Sequence, residues 1–364
     1  MEIPFFKPSL PPLPAYTKNL EHIWETKMIS NFSFYSSKME QIIASYLNID
    51  PEHVIVISSA DTGLLISISI LNIPQNSEII LPSFTFNSTA NVVVWNRMIP
   101  VFADINKQTL NMDPIDVKKK ITGKTKAILA THVFGNPCDI NSLRKIAKEN
   151  NCYLLFDAAH AYGAKYRKNK VGSLADIEVF SFSGTKLATS AEGGVIVTRN
   201  KILAQRARMA RNFGFTDDYN SQILGLNGKI SEFNAALGYL TLPHIDSYVE
   251  KRNKVASIYR SELHDVGDLT FQNVDSENTS SYKDFCIMTD KRNRLATYLE
   301  NHSIHTKKYF YPIHKMDYYS QYKTSLPNTD LVSNHCLCLP IYNDMSTVEI
   351  ETVIKNIKDF YKKF

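Results

Sequence analysis

The sequence predicts an α/β fold built on a mostly parallel central sheet. Two observations carry that reading. From about residue 54, short apolar runs alternate with amphipathic stretches, the pattern of strands and helices wound into one sheet. The chain's 364 residues, 44% hydrophobic and 11% aromatic, also suffice for a large core and, on length, for two domains.

Taken in order, Val54-Ile-Val-Ile-Ser58 reads as a strand and the stretch over roughly 61–72 as a helix. Glu78-Ile-Ile-Leu81 and Pro100-Val-Phe-Ala103 are strands, with a helix carrying Asn91-Val-Val-Val-Trp95 between them. Lys126-Ala-Ile-Leu-Ala-Thr131 and Cys152-Tyr-Leu-Leu-Phe156 flank a helix near 140–150. Ile177-Glu-Val-Phe-Ser-Phe182 and Gly194-Val-Ile-Val-Thr198 are expected to be neighbouring strands joined by the loop that carries Lys186. After about residue 245 the pattern changes to a long charged helix, short strands and a final amphipathic helix with Val348, Ile350, Val353, Ile354, Ile357 and Phe360 inward. These features divide the chain into an N-terminal segment (1–45), a large α/β domain (46–245) and a smaller domain (246–364).

Composition narrows the function. The formal charge of +5 is small for this length and the basic residues are dispersed, which gives nucleic-acid binding no support. No stretch reaches the roughly 18 apolar residues of a membrane span, and the start lacks a charged segment followed by a clean apolar one, so a cytoplasmic enzyme is expected. Five scattered cysteines suit reduced thiols. Cys336 and Cys338, two apart, are expected on one side of a strand, and without a second close Cys/His pair no metal site is expected.

The chemistry is expected at the strand tips, where open α/β sheets gather their ligands. One apolar run ends in Asp157 and another leads to Lys186. A lysine amine that holds an aldehyde as a Schiff base, and a carboxylate that keeps a ring nitrogen protonated, are what pyridoxal 5'-phosphate (PLP) requires. Either residue alone is ordinary, since a strand-end Asp commonly caps a helix and a Lys is usually a solvated charge. On one ring, the pyridinium would favour ionised Asp157, while burial and nearby cations would favour neutral Lys186. Ala60 and Asp61, at the start of the first of these helices, are placed to give backbone N–H groups to the phosphate, although from this segment alone a plain helix capped by Asp61 is the better reading. Ser181 offers the phosphate a hydroxyl, Phe86 a ring face to stack on, and His160 a partner for the ring hydroxyl.

Six motifs in fixed order carry a resemblance: Pro82-Ser-Phe-Thr-Phe-Asn-Ser-Thr-Ala-Asn91, Thr131-His-Val-Phe-Gly-Asn-Pro-Cys-Asp139, Asp157-Ala-Ala-His-Ala161, Ser181-Phe-Ser-Gly-Thr-Lys186, Glu192-Gly-Gly194 and Asn227-Gly-Lys-Ile-Ser-Glu-Phe-Asn-Ala-Ala-Leu-Gly238. Together they resemble the DegT/DnrJ/EryC1/StrS family of PLP-dependent nucleotide-sugar aminotransferases, nearest to the branch that aminates dTDP-4-keto-6-deoxy-glucose. The resemblance implies a fold type I, aspartate aminotransferase-like homodimer with shared active sites and a smaller C-terminal α+β domain. It implies Lys186 as Schiff-base lysine and proton shuttle, and Asp157 as partner of the pyridinium nitrogen, with His160 by the ring hydroxyl. Ala60, Asp61 and Ser181 would hold the phosphate and Phe86 the ring face, while Asn227 would reach the partner subunit's cofactor phosphate. Lys307, Tyr309 and His314 would line the nucleotide-sugar site, with L-glutamate as amine donor and a role in cell-surface polysaccharide (lipopolysaccharide/O-antigen) synthesis. Lys186 also separates the chain from the family's dehydratase branch, which has histidine there.

The sequence departs from the family at Asp61, where threonine is usual, at Ser183-Gly184, where His-Ala or His-Pro is common, at Ser190-Ala191 before Glu192, and over Ile29-Ser-Asn-Phe-Ser-Phe34, where Thr-Asn-Asn-Gly is typical. A carboxylate beside a phosphate repels it, so Asp61 is expected either to turn away or to weaken PLP binding, with Thr62 as a substitute hydroxyl. A 3-keto-sugar aminotransferase and a non-catalytic PLP-binding regulatory homologue are the competing readings.

Overall fold

The computed structural model describes residues 2–216, 219–322 and 324–363. In its central sheet every strand of the large α/β unit is buried on both faces, because adjacent side chains feed opposite cores. Val54 and Val56 of β1 (Val54–Ile57) join one hydrophobic cluster, and Ile55 and Ile57 join the other.

The N-terminal helices α1 (Leu13–Thr26) and α2 (Phe34–Leu47) precede β1. Then follow α3 (Ala60–Ser69), β2 (Glu78–Pro82), α4 (Ser88–Trp95), β3 (Ile99–Ala103), α5 (Pro114–Lys120), β4 (Thr125–Thr131), α6 (Ile140–Glu149) and β5 (Tyr153–Asp157). A small hairpin, β6 (Lys165–Tyr166) with β7 (Asn169–Lys170), leads to β8 (Ile177–Ser181), β9 (Gly194–Val197), α7 (Lys201–Ala210) and α8 (Glu232–Thr241). The sheet runs β1-β9-β8-β5-β4-β2-β3. All its pairings are parallel except those of β9, which is antiparallel to both β1 and β8. The expected adjacency of the strands flanking the Lys186 loop is therefore found, and the first helix begins and ends slightly earlier than its periodicity suggested.

Helices cover both faces. Tyr35, Met39 and Ile43 of α2, Leu143 and Ile146 of α6, and Ala235 and Ala236 of α8 pack on one side; Leu64 and Ile66 of α3, Val92 and Val93 of α4, and Leu203 and Ala207 of α7 pack on the other. The carboxylate of Glu232 ties α8 to α2, accepting from the Tyr35 and Ser36 backbone N–H groups at 2.6 and 3.1 Å, where free helix donors need an acceptor.

The last third of the chain contains α9 (Ile245–Leu263), β10 (Thr270–Phe271), β11 (Phe285–Met288), α10 (Arg292–Glu300), α11 (Pro327–His335), β12 (Cys336–Leu339) and α12 (Thr347–Lys363). Its antiparallel sheet, β10-β11-β12, shares a separate core with α9, α10 and α12. In α12 the residues Ile350, Val353, Ile354, Ile357 and Phe360 are buried as expected, but Val348 is 61% exposed, since it lies on the opposite side of the helix from them. Cys336 and Cys338 do share one buried face, where Cys286 of β11 joins them, its Sγ 2.8 Å from that of Cys336. Among the described residues no helix is long and apolar enough to cross a membrane.

Candidate active site

The parallel strands deliver their C-terminal tips to one side of the sheet, and a cavity of about 410 Å³ opens there. Its lining includes Ala60, Asp61, Phe86, Asp157, His160, Ser181, Lys186, Glu192, Lys283, Tyr309 and Phe310. Most of the residues selected from sequence thus meet in one place. Asn227, Lys307 and His314 do not line it.

Asp157 ends β5 and is almost fully buried. Its Oδ2 accepts from Thr89 Oγ1 at 2.7 Å and its Oδ1 from the Ala159 backbone N–H at 3.1 Å. Burial raises its pKa, while Thr89, the Ala159 amide and the charge of Lys186 oppose the rise. The sequence led to the opposite direction, because it supposed a ring cation beside the carboxylate; in the protein chain by itself desolvation wins. Lys186, in the loop between β8 and β9, moves as expected: burial first, then the neighbouring Lys283 ammonium, bring its amine down to about 8, against the pull of Asp284, Asp157 and Asp61.

His160 follows Asp157 by three residues and is held well below the usual histidine range, first by burial and then by Lys186 and Lys283. Its Nδ1 is buried without a hydrogen-bond partner. A buried orphan on a cavity wall costs stability unless a ligand satisfies it.

The N-terminus of α3 opens onto the same cavity. Ser59, not Asp61, is its N-cap: Ser59 Oγ accepts from the Thr62 N–H at 3.1 Å. Asp61 lies within the first turn, where its Oδ2 accepts from Ser88 Oγ of α4 at 3.0 Å. The Thr62 hydroxyl is engaged by Ser58 and Ser59. Gly194 of β9 makes room for this turn, because a Cβ there would lie 2.7 Å from the Ala60 nitrogen and 2.8 Å from the Ser59 carbonyl carbon. Ser181, at the tip of β8, stands across the same cavity and accepts from the Ser183 N–H at 3.4 Å. Phe86 is 59% exposed at the cavity edge, free of the core packing that most large aromatics seek. A carboxylate, an amine, an unpaired imidazole nitrogen and a helix N-terminus around one cavity fit the parts of PLP.

The carried-over substrate residues divide. Tyr309 lines the cavity beside Phe310. Lys307 instead pairs through its backbone with Cys338, and its side chain is exposed. His314 is pinned in a wall, with Nδ1 2.8 Å from Ser83 Oγ and Nε2 3.3 Å from Asp330 Oδ1, which makes it a structural hydrogen-bonder in this chain. Asn227 is exposed on the segment whose next residue, Gly228, accepts from the Ser58 N–H. Two residues escaped the sequence reading. Thr89 carried no signal of its own beyond its place in the Pro82 to Asn91 motif, and Lys283 lies far along the chain, in a segment without a recognisable pattern of its own.

A lysine and a buried carboxylate presented by neighbouring strand ends of such a sheet, above a helix N-terminus, define a PLP-dependent enzyme of fold type I. The chain belongs to the DegT/DnrJ/EryC1/StrS aminotransferase family, whose sequence model it matches over residues 15–358. It is similar to the dTDP-4-amino-4,6-dideoxy-D-glucose transaminase of Shigella dysenteriae, with 32% identity over 99% of this chain and 100% of that one. The GDP-perosamine synthase of Vibrio cholerae is 31% identical over 99% of both chains. Among solved structures, the aminotransferase TlmJ from Streptoalloteichus hindustanus superposes with a TM-score of 0.94 at 26% identity, covering 99% of each chain.

Proposed function

We propose that this aminotransferase aminates a nucleotide-linked keto-deoxy sugar, dTDP-4-keto-6-deoxy-D-glucose, to dTDP-4-amino-4,6-dideoxy-D-glucose, with L-glutamate as donor, for cell-surface polysaccharide synthesis. The observation that carries the reading is the convergence of Lys186 and Asp157 on one cavity in a chain similar along its whole length to a transaminase named for that amino sugar.

When bound, PLP supplies an electron sink for the carbon that loses or gains the amino group. Asp157 would hold the ring nitrogen, with Thr89 fixing the orientation of that carboxylate. Ser181 and the amides of Ala60 and Asp61 would bind the phosphate, and His160 Nδ1 would meet the ring hydroxyl. Lys186 Nζ would hold the cofactor's aldehyde and, when not joined to it, would carry the proton between the amine-bearing carbon of the donor or sugar and the cofactor. Phe86 would lie on the ring face, and Tyr309 and Phe310 border the cavity where the sugar would sit. In this reading the active enzyme is a homodimer, and Asn227 serves the partner subunit's site.

The test separates sugar from nucleotide. PLP-loaded protein is converted with L-glutamate, freed of 2-oxoglutarate, and offered dTDP-4-keto-6-deoxy-glucose, its 3-keto isomer and GDP-4-keto-6-deoxy-mannose, with products read by mass spectrometry. Amino sugar from the first supports the proposal, and Lys186→Ala must abolish it. Turnover of the GDP sugar alone would favour the activity named for the perosamine synthase. Failure to release 2-oxoglutarate would remove glutamate as donor.

A further inference from the structure

Lys283 stands two residues before β11, its backbone N–H bound to the Phe134 carbonyl at 3.0 Å and its ammonium to Asp284 Oδ1 at 2.8 Å. Both side chains are buried, at 5% and 2% exposure. Taking two ions out of water is costly, and apolar residues of similar size would often serve a fold as well or better. This pair is also incompletely satisfied, since Asp284 Oδ2 is buried without a hydrogen-bond partner.

The position of the pair suggests its use. Lys283 borders the main cavity together with Lys186, and it borders the narrow space behind Lys186 formed with Ala159, His160, Tyr162 and Leu187. Two lysines thus face the same volume, where each ammonium disfavours the other's protonation.

We propose that Lys283, locked in place by Asp284, is a positioning residue that weakens proton binding by the Lys186 amine whenever it is not joined to the cofactor, so that a larger share of it is free to accept a proton. The proposal rests on the aminotransferase reading of the site. The groups facing Lys186 are Lys283, which opposes its protonation, and Asp284, Asp157 and Asp61, which favour it; Glu192 stands on the same cavity wall, and His160 is itself kept neutral. Lysine 186's low pKa follows the same order, with burial first and Lys283 second.

The experiment uses cofactor-free protein, trace-labelled with acetic anhydride across pH 6 to 10, with acetylation of Lys186 read by peptide mass spectrometry. In Lys283→Gln the midpoint is expected to rise by about one pH unit, as removal of a neighbouring like charge requires, and in Lys283→Arg to stay near the wild-type value. A purely structural role would leave the midpoint unmoved, and an unmoved midpoint overturns the proposal. Because Lys283→Gln strands Asp284, the double variant K283Q/D284N provides a second arm. Its midpoint also rises, by less, since the ammonium acts on Lys186 more strongly than the carboxylate does. If Lys283→Gln raises only the KM for the donor, Lys283 is a carboxylate-binding group and the proposal fails. Wild-type protein that neither takes up PLP nor transaminates would sink the reading of the site instead, a result distinct from any shift in the midpoint.

Discussion

Thr89 Oγ1 donates to Asp157 Oδ2 at 2.7 Å, so a helix that follows β2 holds the carboxylate that ends β5. Thr89 lies within reach of Thr85, whose hydroxyl is in turn 3.1 Å from Thr131 Oγ1, so the carboxylate is braced by a row of buried hydroxyls. Thr89→Val keeps the shape and removes the donor. A hydrogen bond to a charged group is worth about 1.5–3 kcal/mol. PLP affinity, measured by fluorescence titration, is expected to fall by roughly tenfold or more, with Thr89→Ser restoring most of it.

Asp61 brings a carboxylate to the turn that faces the phosphate, and Ser88 holds it there. Asp61→Asn keeps the acceptor for Ser88 and removes the charge. Dissociation of PLP is expected to slow by about two- to fivefold, in the range of exposed charge pairs, and the gain should shrink in high salt. Pyridoxal, which lacks the phosphate, should bind both proteins alike.

Gly194→Ala sets a methyl group 2.7 Å from the Ala60 nitrogen. The turn must shift, at a cost of about 1–3 kcal/mol for an overpacked site. Thermal melting should show that loss in the cofactor-free protein, and PLP affinity should drop further than pyridoxal affinity.

Glu178 of β8 is fully buried and desolvation pushes its carboxyl up to about 7, against the pull of the Leu174, Ala175 and Gly172 backbone N–H groups. The folded state therefore binds this proton more tightly than the unfolded chain does. Its contribution to stability falls as pH rises from the unfolded value of 4.5 towards 7 and is constant above. Glu178→Gln keeps an oxygen for the amides and removes the titration. Urea unfolding should show the variant gaining on the wild type between pH 5 and pH 8, by on the order of 2 kcal/mol. A gap that stays flat with pH would rule out this proton linkage.

Much of this architecture is legible because the signals are local. Val54 to Ile57 and Tyr153 to Asp157 are apolar runs too short for helices, and their tips carry the polar residues that the crevice needs. Lys186 and Asp157, ordinary singly, stand out as a pair, because together they are the amine and carboxylate that PLP requires and both lie at strand tips. Lys283 does not, since a lysine in a loop is ordinary until the fold buries it against Asp284. The same holds for the N-cap of α3, where Ser59 and Asp61 are both good capping residues and only the backbone decides between them. His314 shows the reverse: its place in the motif invites a ligand role, and its two ring nitrogens are spent on Ser83 and Asp330.

The single antiparallel strand, β9, lies between β1, whose tip starts the phosphate turn, and β8, whose tip starts the lysine loop. It acts as a ruler. Two inter-strand spacings, about 9–10 Å in all, separate the tip of β1, which leads into α3, from the tip of β8, which leads to Lys186. The loop between β8 and β9 can therefore change its sequence, as Ser183-Gly184 and Ser190-Ala191 do, and reshape what enters the cavity without altering the separation of the two strand tips that flank it.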